Sequence, residues 1–434
     1  MTYKHIAVIG SGISGLTTSY LLQRRYQVTL FEQEDYLGGH TNTVDIEHNG
    51  RVYPVNTGFI VFNDWTYPNF IRLMDHLGVA SEDSDMSFSV RCDRSGLEYN
   101  GSTLNTLFCQ RRNLVNLRFW RMIQDIMRFN KEATRHYLSG ALDNGITLQE
   151  YLNREGYGDA FRQYYIIPMG AAIWSAPEAD MMAFPAAFFI RFFHHHGLLS
   201  VSNRPQWRVI SGGSRSYVDV LKRELTGAVH LQRGIRRVTR HEHGVRLTDH
   251  QGAEHDFDAV VFACHSDQAL AMLAQPSVQE QSILAAIPYQ DNSVVLHTDT
   301  RLLPRNKNGW AAWNYRIPTH AEQPVTVTYN MNILQNFDSD TTFCVSLNQD
   351  ADIDPATILR RYRYSHPAFT QAGAEAQNRF DEINGHQHTF YCGAYWFNGF
   401  HEDGVNSAIR VAESLNVHFD ERVPACTAHS TRAL

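Results

Sequence analysis

"HIAVIGSGISGLTTSYLLQRRYQVTLFEQ" occupies residues 5–33. Ile6 to Ile9 form a short continuous apolar run, the pattern of a strand buried on both faces. Gly10, Gly12 and Gly15 follow it at GxGxxG spacing, and Leu16, Tyr20 and Leu21 then carry a helical stripe. "VTLF" (28–31) reads as a second strand, closed by Glu32. Each part has a physical task. Gly10 permits a tight turn, Gly12 lets a pyrophosphate reach the backbone, and Gly15 lets helix and strand pack closely. The helix N-terminus offers N–H groups and a positive dipole end to phosphates. Glu32 can accept hydrogen bonds from a ribose diol, and a carboxylate there repels a 2′-phosphate, which argues against NADP. The glycines alone are a weak signal; strand, glycines, helix, second strand and acid in this order are a strong one. The expected fold is α/β with a Rossmann-like dinucleotide-binding domain. Residues 5–33 leave FAD and NAD both open.

The chain is 434 residues long, which calls for two or more lobes. Apolar residues make up 43% and charged residues 19%, a folded globular composition. Aromatic residues reach 12%, which implies a large apolar pocket or surface besides a core. A net charge of −7 argues against nucleic-acid binding. Cys92, Cys109, Cys264, Cys344, Cys392 and Cys426 form no CxxC pair, so neither a zinc site nor a disulfide framework is expected, and a reducing compartment is. The strand-like run at His5 leaves no room for a signal peptide. The longest apolar stretch, "MMAFPAAFFIRFF" (181–193), is interrupted by Pro185 and Arg191 and falls short of a membrane span. The expected location is the cytoplasm, with peripheral contact at the inner face of the membrane.

A second glycine pair, Gly38–Gly39, follows Glu32 by six residues in "EDYLGGHTNT" (34–43). An NAD-type fold normally runs straight into another crossover. An insertion here can bring backbone N–H groups to a second side of the pyrophosphate, or serve as a surface turn. GxGxxG, the acid and then "GGH" resemble the flavin amine oxidase and phytoene desaturase superfamily, whose pattern there is usually Gly-Gly-Arg; His40 replaces that Arg. "VNTGFIVFN" (55–63) resembles the family's next element, with Asn56 where an acid is usual. "WRVISGGSRSYVDVLKREL" (207–225), "HLQRGIRRV" (230–238), "GVRLTD" (244–249) and "FDAVVFAC" (257–264) follow in the family's order. The resemblance puts Ile235 beside the adenine and Ala263 near the cofactor.

Near the end of the chain, "HTFYCGAYWFNGFHEDGVNSAIRVAESL" spans 388–415. "FYCGAY" reads as a strand ending in Gly393. Val405, Ala408, Ile409 and Ala412 place a helix start near Gly404, with Glu402 and Asp403 at its N-terminus, where the dipole favours acids. Such a terminus can face the flavin's pyrimidine end, or simply cap a surface helix. "CGAY…GFHEDG" is closer still to a bacterial branch of FAD-dependent oxidoreductases often encoded beside cyclopropane-fatty-acid-synthase-like lipid methyltransferases. The likeness runs over nearly the whole chain, through "NTGFIVFN", "IWS", "SGGS" and His366–Pro367. It implies FAD held by Gly10, Ser11, Gly12, Ser14, Gly15, Glu32, Gly38, Gly39, His40, Thr57, Ile235, Ala263, Gly393, His401, Glu402, Asp403 and Gly404. It also implies a discontinuous, glutathione-reductase-type FAD domain (1–75, 205–265 and 385–418), an inserted mixed helix/sheet substrate domain (76–204 and 266–384) and a loose tail (419–434).

Within the insertions, "LRFWRMIQDIMRFNKEATRHYL" (117–138) reads as one helix with a stripe at Trp120, Ile123 and Met127. "NSVVLHTD" (292–299), "VTVTYNMN" (325–332) and "TFCVSLN" (342–348) read as strands. "YYIIPMGAAIWSAPEADMMAFPAAFFIRFFHHHGLL" (164–199) is the most apolar part; it can line an acyl-chain tunnel, dip into a membrane or form a plain helical core. Arg111, Arg112, Arg118 and Arg121 alternate with Leu114, Leu117 and Trp120, a pattern that suits an anionic lipid surface or a solvated helix. His194, His195 and His196 point apart on a helix and make a poor metal site, so no metal is expected.

Three functions fit. The first is hydride removal from an apolar substrate, narrowed by the resemblance to desaturation of a methyl-branched or unsaturated lipid acyl chain, with no obligatory protein base. The second is amine oxidation, for which the family uses a Lys that "YQDNSVVLHTD" (289–299) lacks and an aromatic cage that Tyr395 and Trp396, with Tyr329 or Trp174 opposite, can supply. The third is a flavin-bearing accessory protein of a lipid methyltransferase.

Overall fold

The computed structural model describes residues 3–142, 145–174, 178–319 and 326–420. Ser175 of "IWS", Val325, Cys426 and the tail beyond 420 lie outside the described residues. Two compact units share the chain. The first runs up to Gly39, resumes over Val218–Ala285 and returns at Ala376; the second takes up His40–Tyr217 and Ala286–Glu375. These boundaries differ from the expected ones. Residues 40–75 and 205–217 fall in the second unit, tied together there by Asn56, whose side-chain oxygen accepts from Ser214 N at 2.9 Å and from Thr43 Oγ1 at 2.8 Å.

In the first unit, β1 (His5–Ile9), α1 (Ile13–Leu22), β2 (Gln27–Phe31), β3 (Ala228–His230), β4 (Ala259–Phe262) and β5 (Thr389–Tyr391) build the nucleotide-type fold, and α2 (His401–Ser414) packs on it. The sheet order is β3-β2-β1-β4-β5 and every pairing is parallel. Ile6 pairs with both Val28 and Ala259, so β1 is central. Ile6, Ala7 and Val8 are fully buried, as are Val260, Val261 and Phe262, which accounts for the unbroken apolar runs. Each Ile, Val or Phe side chain here contributes about 1.5–3 kcal/mol by leaving water.

α1 is buried along its whole length, its Ser and Thr residues included. A helix so placed is enclosed on all sides rather than lying on a surface. A separate antiparallel sheet, Ile235–His241, Gly244–Asp249 and Glu254–Phe257, follows β3. "HLQRGIRRV" is therefore two strands on two sheets, not one. The break falls at Gln232, with φ of 52°, and at Gly234, where a Cβ would lie 2.7 Å from the His250 ring.

The second unit holds a seven-stranded sheet in the order Ile358–Pro367, Tyr289–His297, Cys344–Leu347, Val327–Asn330, Trp313–Ile317, Phe88–Cys92, Glu98–Asn100. Only the Trp313–Ile317/Phe88–Cys92 pairing is parallel. The three strands read from the sequence are present with shifted ends; Met331 and Asn332 instead open a short helix capped by Asn330. Leu117–Leu138 is one helix, as expected, but its buried face is Phe119, Met122, Phe129 and Ala133. Trp120 and Met127 of the expected stripe are 40% and 51% exposed. Both sets have helical spacing in so apolar a segment, and the set with two phenylalanines removes more area from water. No helix among the described residues is long and apolar enough to cross a membrane.

Candidate functional site

The turn from β1 into α1 is set by close backbone approach. Gly10 has φ of 100°, and a Cβ there would lie 2.7 Å from the Ala263 carbonyl oxygen at the end of β4. A Cβ on Gly15 would lie 1.9 Å from the Gly10 carbonyl oxygen, so no side chain fits. Gly12 is different. Its φ of −62° and ψ of 179° are open to any residue, and a Cβ there would meet nothing within 4 Å. Neither backbone strain nor a protein neighbour demands glycine at Gly12. The free space lies at the N-terminus of α1, which Gly12 caps without a side-chain hydrogen bond and whose first N–H groups have no partner within the helix. That space and those donors suit a pyrophosphate.

The second glycine pair closes on the same spot. Gly38 N donates to the Ser11 carbonyl at 3.0 Å, and Gly39, with φ of 57°, lies so that a Cβ would be 3.2 Å from the Gly12 Cα. Glu32 is buried at the tip of β2. Its carboxylate accepts from Ser11 N (2.8 Å), Ser11 Oγ (2.6 Å) and Glu34 N (3.0 Å), leaving acceptor capacity on an oxygen pair that can take about four donors. Arg233 N donates to the Glu32 carbonyl at 2.8 Å, which runs the segment leading to Ile235 beside the acid. Ile235 itself is buried at the start of its strand.

The far end of the chain arrives at the same place. α2 starts at His401, three residues before the expected Gly404, because its apolar stripe begins only at Val405 while Asp403 fixes the first turn by accepting from Phe400 N at 2.8 Å. A Cβ on Gly404 would lie 2.6 Å from Ile13 Cγ2 and 3.0 Å from Ser14 Oγ, so the N-terminal turns of α1 and α2 touch. β5 ends at Tyr391, two residues before Gly393. Gly393 N donates to Ser407 Oγ at 2.8 Å, and Cys392 Sγ lies 3.4 Å from Thr18 Oγ1. Ser407, Cys392 and Thr18 were not singled out from the sequence; their signal was only a position one or two turns into each helix or one residue before a glycine. Burial pushes the Asp403 carboxyl up to about 7, and burial lowers His401. Tyr395 and Trp396 are buried in this unit, their rings tilted by 39° at 5.2 Å, with Trp396 edge-on to Phe380.

His40, Thr57, Trp174 and Tyr329 belong to the second unit. The His40 ring lies 4.9 Å from that of Tyr364, whose hydroxyl is 3.2 Å from Thr57 Oγ1. Tyr329 stands edge-on to Trp313 at 4.9 Å. Trp174 is enclosed by Phe184, Phe188, Phe189, Phe192 and Phe193, at centroid distances of 5.3, 5.8, 5.6, 4.7 and 6.5 Å. Its Nε1 is buried within this ring cluster. His195 Nε2 meets the Tyr137 hydroxyl at 2.7 Å and His196 stacks on Phe192; no cluster of metal-binding side chains occurs among the described residues.

The sequence pattern of the family described as flavin containing amine oxidoreductase matches residues 13–347. The curated carotenoid phi-ring synthase of Chlorobaculum tepidum is 37% identical over 82 residues, 19% of this chain; the match spans only 12% of that protein's length. Among solved structures, the CLA-producing fatty acid isomerase from P. acnes superposes with a TM-score of 0.66 at 16% identity, covering 95% of this chain and 97% of that one. Cyclohexylamine oxidase from Brevibacterium oxydans IH-35A gives a TM-score of 0.65 at 15% identity, covering 95% and 100%.

Proposed function

The chain belongs to the flavin containing amine oxidoreductase family, and from that premise we propose that this FAD-dependent oxidoreductase desaturates a lipid acyl chain. A hydride would leave one carbon of the chain, its neighbour would release a proton to water, and a carbon–carbon double bond would remain. FAD supplies the hydride acceptor when bound. The chain's own residues would hold it: the α1 N-terminus at Gly12 would take the pyrophosphate, Gly38 and Gly39 would flank it, Glu32 would take the ribose, and the N-terminal turn His401–Gly404 would favour negative charge on the ring.

One observation carries the acyl-chain reading over amine oxidation. The lysines of the chain, Lys4, Lys131, Lys222 and Lys307, are all exposed. The family's amine oxidases resemble this chain in fold, yet no lysine here is buried where a flavin-side lysine would be needed. The aromatic cluster around Trp174 adds to this, since its rings suit hydrocarbon. The test is anaerobic mixing of the yellow protein with membrane lipid and, separately, with a panel of amines. Bleaching by lipid alone is expected; bleaching by amines alone would overturn the reading.

A further inference from the structure

Between Glu98 and Asp125 the chain contains no acid, yet it carries Arg111, Arg112, Arg118 and Arg121 on a protein of net charge −7. All four are exposed. Some surface arginines elsewhere meet carboxylates, as Arg246 does with Asp256 at 2.8 Å and Arg379 with Glu382 at 2.7 Å, and others, such as Arg204 and Arg360, donate to backbone carbonyls. Here the partners are neutral. Arg111 donates to the Phe108 carbonyl at 3.0 Å, Arg112 to the Gly96 carbonyl at 2.5 Å, and Arg118 lies 5.3 Å from the Tyr164 ring.

The same segment exposes apolar bulk. Leu104 is 77% exposed, Leu114 50%, Val115 86%, Leu117 74% and Trp120 40%. This ridge is fixed in place. Trp120 Nε1 donates to the Leu114 carbonyl at 2.9 Å, its ring lies 5.3 Å from that of Phe108, and Asn116 caps the long helix through Arg118 N at 3.0 Å. Beside it opens a cavity of about 300 Å³ that joins Arg112 and Arg118 to an apolar lining of Leu97, Phe119, Met122 and Tyr164. Apolar tips ringed by unpaired positive charge, next to an amphipathic slot, match an anionic lipid surface. They do not match a second copy of the chain, since a two-fold contact would set arginine against arginine.

We propose that this ridge docks on an anionic bilayer: Leu114, Val115 and Leu117 enter the headgroup boundary, the four arginines meet lipid phosphates, and the cavity takes one headgroup with its first methylenes. The claim does not rest on the acyl-chain reading, because its test reads binding and not turnover. In vesicle flotation the holoenzyme rises with phosphatidylcholine vesicles containing phosphatidylglycerol and stays below with phosphatidylcholine alone. Added salt weakens the binding. Arg112→Glu with Arg118→Glu weakens it about fivefold or more per arginine, and Val115→Ser with Leu117→Ser about tenfold. These side chains are exposed, so the variants keep the wild-type melting curve and flavin content. Failure of the wild type to float, equal flotation of the arginine pair, or loss on Val115→Ser/Leu117→Ser of a protein complex in place of vesicle binding would each overturn the proposal.

Discussion

The turn around Gly12 and the cluster around Trp174 are both closely packed, but they are packed by different means. At the turn, backbone meets backbone: a single carbon on Gly15 or Gly10 collides at 1.9 or 2.7 Å with a backbone carbonyl oxygen. Around Trp174, side chains meet side chains, and five phenylalanine rings can shift to absorb a change. A backbone cradle holds one shape and suits an invariant cofactor. A side-chain lining can be reshaped and suits a substrate that differs between relatives. A fatty acid isomerase and a cyclohexylamine oxidase, each about 15% identical to this chain, share its fold.

The contrast breaks most sharply at Gly15. Gly15→Ala must push α1 off β1, so loss of bound flavin and of soluble protein is expected, a cost of about 3 kcal/mol or more; a yellow Gly15→Ala protein with unchanged melting temperature would remove the backbone argument. Trp174→Ala should cost about 3–5 kcal/mol in stability while leaving the flavin bound per protein chain at the wild-type value. Within the first unit, Glu280 is a polar counterpart: buried, it accepts from Arg240 at 2.5 Å and from the Tyr391 hydroxyl at 2.6 Å. Burial opposes its ionisation, but the Arg240 guanidinium and its other donors hold the carboxyl below the usual range. Its stabilisation is therefore present above the unfolded value and lost as pH falls through the lower folded one. Glu280→Gln should destabilise by about 3 kcal/mol near neutrality and less in acid, checked by urea melts across pH.

At Asp403 the effect is read in the shape of the pH dependence. Its folded value, about 7, lies above the unfolded carboxylate value, so the stability it contributes is full in acid and declines as pH rises toward 7. Asp403→Asn keeps an acceptor for Phe400 N and removes that decline. The difference between variant and wild type should grow with pH over this window and level off above it.

Much of the first unit was legible because its rules are local. A strand, three glycines and an acid each answer to neighbours within a few residues. Readings failed where two patterns competed over the same residues. The start of α2 was placed at Gly404 because periodicity registers only from Val405, while a polar first turn is fixed by a hydrogen bond from Phe400 to Asp403. "HLQRGIRRV" looked continuous because nothing in its hydrophobicity marks the positive φ of Gln232. On the Leu117–Leu138 helix two apolar stripes had the right spacing, and only tertiary packing chose Phe119 and Met122 over Trp120 and Met127. The contact between Gly404 and Ile13 spans most of the chain, and no local rule reaches that far; the order of the family's motifs did.

The most direct test is Gly12→Val. The backbone there accepts valine and no protein atom lies within 4 Å of its Cβ, so the fold should survive with a cooperative melt. The side chain would fill the space assigned to the pyrophosphate, and the purified protein should be colourless. A folded Gly12→Val protein that keeps its full flavin content would contradict the account.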